Sequence, residues 1–418
     1  MSAPSQLLRS ARIFTSAAPV RGTAGAETDG GMIIEDGAVR IAADGTIDWV
    51  GRARDLGSAA AVETGIEVEE VDLGGALLTP GLVDAHTHPL YGGRRFREIA
   101  LRSAGASYAE IAAAGGGIAS TVAATRAASA ASLAADLDSR LESWLAGGTT
   151  TVEAKTGYHL DEAGELSDVA LLAARARGGA GLAAVEVTWL AGHAVGPEWA
   201  GDPDGYAAAV AGWSSAAARA GARHADVFCD AGYFTIDQGR VMLTAAAEAG
   251  LIPRIHADEL ARTGGAELAA ELGCASADHL LQVDRAGIRA LAEAGVVATL
   301  APVTALAMGA SPPARALLDA GVAVALGSDH NPGNSGTTSM SLVVALAVAE
   351  LGLSVAEALE AATAGGARSL RLADRGRVAP GLRADLVAWD ADHEGAFAWS
   401  YGLQPRAVWQ NGERTARH

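Results

Sequence analysis

Through the middle of the chain, short apolar runs alternate with longer Ala-, Leu-, Glu- and Arg-containing stretches whose apolar residues recur at helical spacing. The runs mark eight candidate strands, roughly 81–87, 149–155, 183–190, 225–230, 252–257, 276–279, 296–300 and 322–328. Helical patterns separate most of them, for example 131–145, 165–177, 205–220, 239–249 and 262–272. Eight β-then-α units predict an α/β fold, a (β/α)8 TIM barrel. A doubly wound sheet is the competing architecture. It would need a Gly-rich loop directly after its first strand, and Gly115-Gly116-Gly117 does not follow a strand in that way. That triplet reads instead as part of a long loop over the barrel mouth.

The two ends carry a different pattern. Arg12-Ile13-Phe14, Met32-Ile33-Ile34, Ala38-Val39-Arg40-Ile41 and Ile47-Asp48-Trp49-Val50 read as short strands, with Asp-Gly pairs at 29–30, 36–37 and 44–45 as hairpin signals. Ala384 to Trp389 and Ala407 to Gln410 read the same way, with a turn at Asn411-Gly412. Neither end has enough strands for a stable sheet of its own, so the two are expected to meet in a small composite β-sandwich domain. The expected division is 1–79 and 372–418 for that domain and 80–371 for the barrel.

Composition narrows the partners. Half of the 418 residues are hydrophobic, enough for a large core, and 31 Lys and Arg stand against 49 Asp and Glu, a net charge of −18. That sign disfavours nucleic acid and anionic membranes. No uninterrupted apolar run reaches membrane-span length, and Met1 to Val20 lacks the apolar core of a signal peptide. The two cysteines, Cys229 and Cys274, make no disulfide framework and fit a reducing cytoplasm.

Six of the ten histidines fall at or just past the ends of predicted strands: His86 and His88 after the first, His193 after the third, His256 after the fifth, His279 after the sixth and His330 after the eighth. Barrel active sites are built at that face. Alternation along a strand puts His86 and His88 on one face. His86, His88, His256 and Asp329 make a metal set of three imidazoles and a carboxylate. It suits one divalent ion, Zn or Fe, with a position left for water. Glu259, three residues after His256, is read as the general base, the alternative being a carboxylate at a helix N-terminus. His279 is placed to polarise a carbonyl or take a proton, the alternative being a supporting structural histidine.

This ordered set resembles the amidohydrolase superfamily over nearly the whole chain, including Gly381-Leu382-Arg383-Ala384-Asp385-Leu386-Val387, which is similar to the superfamily's re-entry into the small β domain. Many members hold two metals bridged by a carboxylated lysine after the fourth strand. Here that strand ends Val227-Phe228-Cys229-Asp230, and Lys155 ends the second strand instead. A single ion is the better reading.

A finer resemblance is to the imidazolonepropionases. It rests on His88-Pro89-Leu90-Tyr91-Gly92-Gly93-Arg94-Arg95, on the stretch from Gly105 through Gly117 to Thr125, and on Glu153-Ala154-Lys155-Thr156-Gly157-Tyr158. It also rests on Ala191-Gly192-His193, His256-Ala257-Asp258-Glu259, Ser276-Ala277-Asp278-His279 and Asp329-His330-Asn331-Pro332-Gly333. The resemblance implies hydrolytic opening of the ring of 4-imidazolone-5-propanoate in histidine breakdown, a small carboxylated heterocycle as partner, and a homodimer as the expected assembly. It implies that Arg95 binds the propanoate carboxylate. Tyr158 and His193 would contact carboxylate and ring, Asn331 and Gly333 would hold the product-like end, and Glu259, His279 and Asp329 would be catalytic. Without the family, Arg95 reads equally well as a surface arginine and Tyr158 as a wall residue.

Four departures from the family pattern, His159, His330, Asn334 and the aliphatic segment 301–307, are expected near the mouth. They bear on substrate identity and not on the metal chemistry. A deaminase of an amino-substituted heterocycle is the nearest rival. A catalytically silent scaffold is a remote one, because such barrels usually lose metal ligands.

Overall fold

A computed structural model describes residues 5–16, 32–57, 68–105, 110, 115–179 and 181–415. Sixteen strands run in chain order: β1 (Ser5–Phe14), β2 (Ile33–Ile41), β3 (Ile47–Arg52), β4 (Val68–Asp72), β5 (Leu77–Pro80), β6 (Leu82–Asp84), β7 (Thr149–Lys155), β8 (Ala184–Gly192), β9 (His224–Cys229), β10 (Ile252–Ala257), β11 (Ser276–His279), β12 (Val297–Leu300), β13 (Val324–Leu326), β14 (Leu386–Trp389), β15 (Pro405–Gln410) and β16 (Glu413–Arg414).

Strands β6 to β13 pair in sequence order as one parallel sheet. Its ends are closed by Ala85 N–H on the Leu326 carbonyl, Asp329 N–H on that of His86 and His88 N–H on that of His330. These are the eight strands anticipated, and the closing contacts run through the metal-set residues themselves. The helices between them start at side-chain caps: Asp161 on Gly164 N–H, Asp202 on Gly205 N–H, and a Thr235/Gln238 capping box. Helix Ala130–Ala146 buries Leu133, Leu137, Leu141 and Trp144 against the sheet. The Trp144 indole donates to Asp84 Oδ2 at 2.9 Å, so truncating Trp144 removes both a core aromatic and the partner of a buried carboxylate.

The second sheet joins both ends of the chain, in the order β16-β15-β14-β5-β1-β2-β3, with β4 also on β1. It is mixed: β1 runs parallel to β4 and β5, and the other pairs are antiparallel. Asp36-Gly37 is not the turn expected there. β2 continues through it, with Asp36 at φ +47° and an irregular register against β1. Gly37 lies so close to Ile13 that a Cβ would sit 2.4 Å from the Ile13 Cδ1, so a larger residue there requires the Ile13 side chain to move. Asp44-Gly45 and Asn411-Gly412 do turn the chain, and Asp29-Gly30 lies outside the described residues.

The barrel interior is unusual. Branched aliphatic side chains normally fill it. Here Thr151, Glu153, Lys155, Thr188, His224, Asp226, Arg254, Ser276 and Asp278 are all buried along the inner strands.

Candidate metal centre and active site

Side-chain alternation brings the imidazoles of His86, His88 and His256 to the C-terminal mouth of the barrel, and Asp329 meets them from the closing strand. Asp329 Oδ1 lies 3.7 Å from His86 Nε2 and 3.5 Å from His88 Nε2, and His256 Nε2 lies 3.4 Å from His88 Nε2. Donors bound to one zinc-sized ion at about 2.0–2.1 Å in a tetrahedron stand roughly 3.3–3.4 Å apart. These three separations suit one ion, and the donors form two triplets that share His86: His86, His88 and Asp329, and His86, His256 and His279. His86 Nε2 is buried with no hydrogen-bond partner, as an atom awaiting an ion would be. His279 joins the same cluster, since one of its ring nitrogens lies within 4.8 Å of donors on His86 and His256.

Carboxylates behind the rings set their orientation. His86 Nδ1 is 2.6 Å from Asp278 Oδ2, and His256 Nδ1 is 3.1 Å from Asp226 Oδ2. A proton on His86 Nδ1, shared with Asp278, turns the His86 Nε2 lone pair toward the cluster. Burial drives His86 and His88 well below the usual imidazole range, which keeps them neutral as ligands must be. Asp329 sits at φ +48° and accepts a 2.5 Å hydrogen bond from Thr304 Oγ1.

Glu259 lines the cavity, with Oε1 3.8 Å from His279 Nδ1. Burial raises its carboxyl above the ordinary value, a shift toward the basicity a proton acceptor needs at neutral pH. The helix-end alternative falls on its neighbour. Asp258, at φ +49°, accepts the N–H groups of Thr263, Gly264 and Ala266 at the start of helix Gly265–Glu271. Asp230 accepts the N–H groups of Glu259, Leu260 and Ala261, fixing the turn that carries Glu259. His279 itself has φ +73°. This left-handed backbone breaks strand alternation, so both Asp278 and His279 reach the cluster.

The cavity above holds about 340 Å³. Arg95, Tyr158, His193 and Asn331 all line it. His193 is buried and stacked on His88 with ring centroids 5.0 Å apart. Burial lowers it to about 3, and Nδ1 donates to the Gly157 carbonyl at 3.0 Å, which leaves Nε2 as an acceptor. Arg95 is not a surface arginine, because its side chain is 9% exposed. Its Nε and Nη2 donate to Glu98 Oε2 at 3.0 and 2.7 Å, while Glu98 Oε1 accepts Gly117 N–H. Gly117 opens helix Gly117–Ala127 and does not lie in a loop as expected, and Ile118 in its first turn lines the cavity. Gly333 lines a neighbouring groove and not the cavity. A Cβ there would meet Arg95 Nη1 at 2.6 Å, so Gly333 reaches the site by letting Arg95 lie flat. The Asn331 side chain braces the same loop, accepting from Gly333 and Asn334 N–H.

Two of the four departures expected near the mouth do not line the cavity itself. His159 turns to Asp168, Nδ1 to Oδ2 2.6 Å. His330 is buried between Tyr91, whose hydroxyl is 3.2 Å from its Nε2, and Trp144. Asn334 and Ala307 do line the cavity. Sequence reasoning missed Glu153, Asp226, Arg254 and Asp278 behind the ligands, and Thr304 and Asp230 beside them. Inward alternation could have found Arg254, two residues before His256. The others declare themselves only through contacts between strands.

The chain matches the Amidohydrolase family over residues 213–414. It is 46% identical over 357 residues to the imidazolonepropionase of Anaeromyxobacter sp. (strain K), covering 84% of each chain, and 42% identical over 383 residues to that of Paracoccus denitrificans (strain Pd 1222), covering 91% of this chain and 94% of the other. Among solved structures it is similar to the N-isopropylammelide isopropylaminohydrolase of Burkholderia multivorans, with TM-score 0.71, 19% identity and 99% of each chain covered. It is also similar to a zinc-bound adenosine deaminase of Xanthomonas campestris, with TM-score 0.69, 22% identity and 98% and 92% covered. At those identities the two structures speak for the fold alone. Taken with the site geometry, the curated relatives establish that this chain belongs to the imidazolonepropionase family of metal-dependent amidohydrolases.

Proposed function

We propose that this chain hydrolyses 4-imidazolone-5-propanoate to N-formimino-L-glutamate in histidine degradation, using one divalent ion, Zn or Fe, held by His86, His88, His256 and Asp329. The observation that carries the reading is the meeting of His88, His256, His279 and Asp329 with Arg95 in one cavity, in a chain 42–46% identical to imidazolonepropionases. Formal charge supports a bound cation. Around the centre, Lys155 and Arg254 stand against Glu153, Asp226, Asp278, Asp329 and Glu259, an excess of negative charge that a cation offsets.

A bound divalent ion supplies Lewis acidity, which makes water nucleophilic near neutral pH and polarises a carbonyl. The chain's own groups do the rest. Arg95 pairs with the propanoate carboxylate, sharing its fork with Glu98. His193 Nε2 accepts a ring N–H, and Tyr158 walls the ring. Glu259 takes the proton from water as oxygen bonds to the ring carbonyl carbon. His279 donates to the developing oxyanion. Cleavage of the C–N bond then passes a proton from Glu259, with Asp329 as a relay, to the leaving nitrogen, so that one water is consumed and no ammonia is released.

The test is loss of the substrate's ultraviolet absorbance on adding metal-reconstituted protein. Turnover without ammonia is the expected result, and ammonia release from an amino-substituted ring with no action on imidazolone propanoate overturns the reading. We place the protein in the cytoplasm as a homodimer, with the three-part division 1–79, 80–371 and 372–418. Two buried free thiols support a reducing compartment, and among the described residues no helix is long and apolar enough to cross a membrane. Light scattering checks the assembly.

A further inference from the structure

Beneath the imidazoles lies a wholly buried ion cluster that the reaction as derived does not use. Lys155 Nζ is 2.8 Å from Glu153 Oε1, 2.8 Å from Asp226 Oδ2 and 3.7 Å from Asp278 Oδ2. Each of these carboxylates has a second contact, and each contact falls on a different part of the ligand set. Asp278 meets Nδ1 of His86 and Asp226 meets Nδ1 of His256. Glu153 Oε2 accepts the N–H of Thr87, the residue between His86 and His88, at 3.0 Å. The Thr87 hydroxyl returns a 2.6 Å bond to the Glu153 carbonyl, and Lys155 N–H donates to the Thr87 carbonyl.

We propose that Lys155 is the positioning residue for the imidazole set, its one ammonium bonding the two carboxylates that aim His256 and the His86–His88 backbone and standing beside Asp278, which aims His86 and is bonded by Arg254. The inference rests on the reading that these histidines hold a divalent ion. An ammonium suits the task because it offers three donors around a compact charge. Arg254 cannot replace it. Its Nη1 is committed to the Ser369 carbonyl, and its Nη2 serves the Ala85 carbonyl and Asp278. Without the ammonium, Arg254 alone faces three carboxylates in a low-dielectric core, Glu153 and Asp226 lose their hydrogen-bonded cation, and the groups they hold turn with them.

The experiment compares wild type with Lys155→Met. Zinc affinity of the folded, metal-depleted proteins is measured by competition with a chromophoric chelator, and the visible spectrum of the Co(II)-loaded forms reports ligand geometry. Losing one outer partner of a ligand typically costs 10–100-fold in metal affinity. Loss of the hub is expected to reach about 100-fold, with an altered Co(II) spectrum. A folded Lys155→Met protein with wild-type affinity and spectrum overturns the proposal. If that variant does not fold, Lys155→Met/Asp226→Asn removes one charge of each sign and takes its place, with the same loss expected and the same overturning result. Failure of wild type to bind zinc at all overturns the metal reading itself, before Lys155 is touched.

Discussion

The floor of the active site and its mouth are built on opposite plans. The floor stands on strand ends: every donor is buried, and two of the three metal-set imidazoles have a carboxylate behind them. The mouth is carried on loops. Arg95 is held by Glu98, and the Asn331 side chain accepts the N–H groups of Gly333 and Asn334. A floor held by several contacts per residue tolerates little change. A mouth held by local contacts accepts substitutions that alter which substrate is read.

The sharpest way to break the comparison is at the floor. His86→Ala or Asp329→Ala removes one of four donors, and activity is expected to fall to background with metal lost and circular dichroism unchanged. A full metal complement by elemental analysis in either variant refutes the ligand assignment. Glu259→Gln keeps the metal and the shape and removes the proton acceptor. kcat is expected to fall by about 10²–10⁴, and a loss below about threefold removes Glu259 from the proton path.

At the mouth the effects shrink and move to KM. Arg95→Met is expected to raise KM about 10–100-fold for a carboxylated substrate and little for a neutral ring, as fits a charge-assisted pair worth about 1.5–3 kcal/mol. Equal effects on both substrates show that Arg95 shapes the loop only. Smallest is His159→Gln. His159 faces Asp168, so KM is expected to stay within about twofold while stability drops by about 1 kcal/mol. The hydrogen bond to Asp168 raises the His159 pKa. A raised imidazole contributes fully below the free value of about 6.5 and loses that contribution as pH rises through the folded value. Denaturant midpoints should therefore differ more between wild type and variant at about pH 6 than at about pH 9. A gap that widens with pH contradicts the pairing.

The floor was legible because its residues obey strand periodicity. His86 and His88 share a face by alternation, and helical patterns separate most of the eight barrel strands. The charge cluster under it was not, because Glu153, Asp226 and Asp278 sit on three strands whose adjacency only the closed barrel creates. The mouth misled in a different way. His159 and His330 are expected near the mouth from their sequence positions, but partners distant in sequence, or on the following helix, decide where a loop side chain turns. Asp36-Gly37 was misread for a related reason. A left-handed aspartate before glycine marks a turn in a free hairpin, yet pairing with the long strand β1 carries β2 through it.

The position of β5 has a consequence for how the chain is made. β5 sits between β1 and β14, and its antiparallel partner, Leu386 opposite Pro80, follows it by roughly 300 residues. At synthesis rates of about 5–20 residues per second, that interval is on the order of 15–60 s. Throughout it, one edge of the N-terminal sheet is open while the whole barrel is being translated. A nascent chain stalled within the barrel should therefore present that edge to other strands, and ribosome-bound intermediates halted before Leu386 should associate where those released after Gln410 do not.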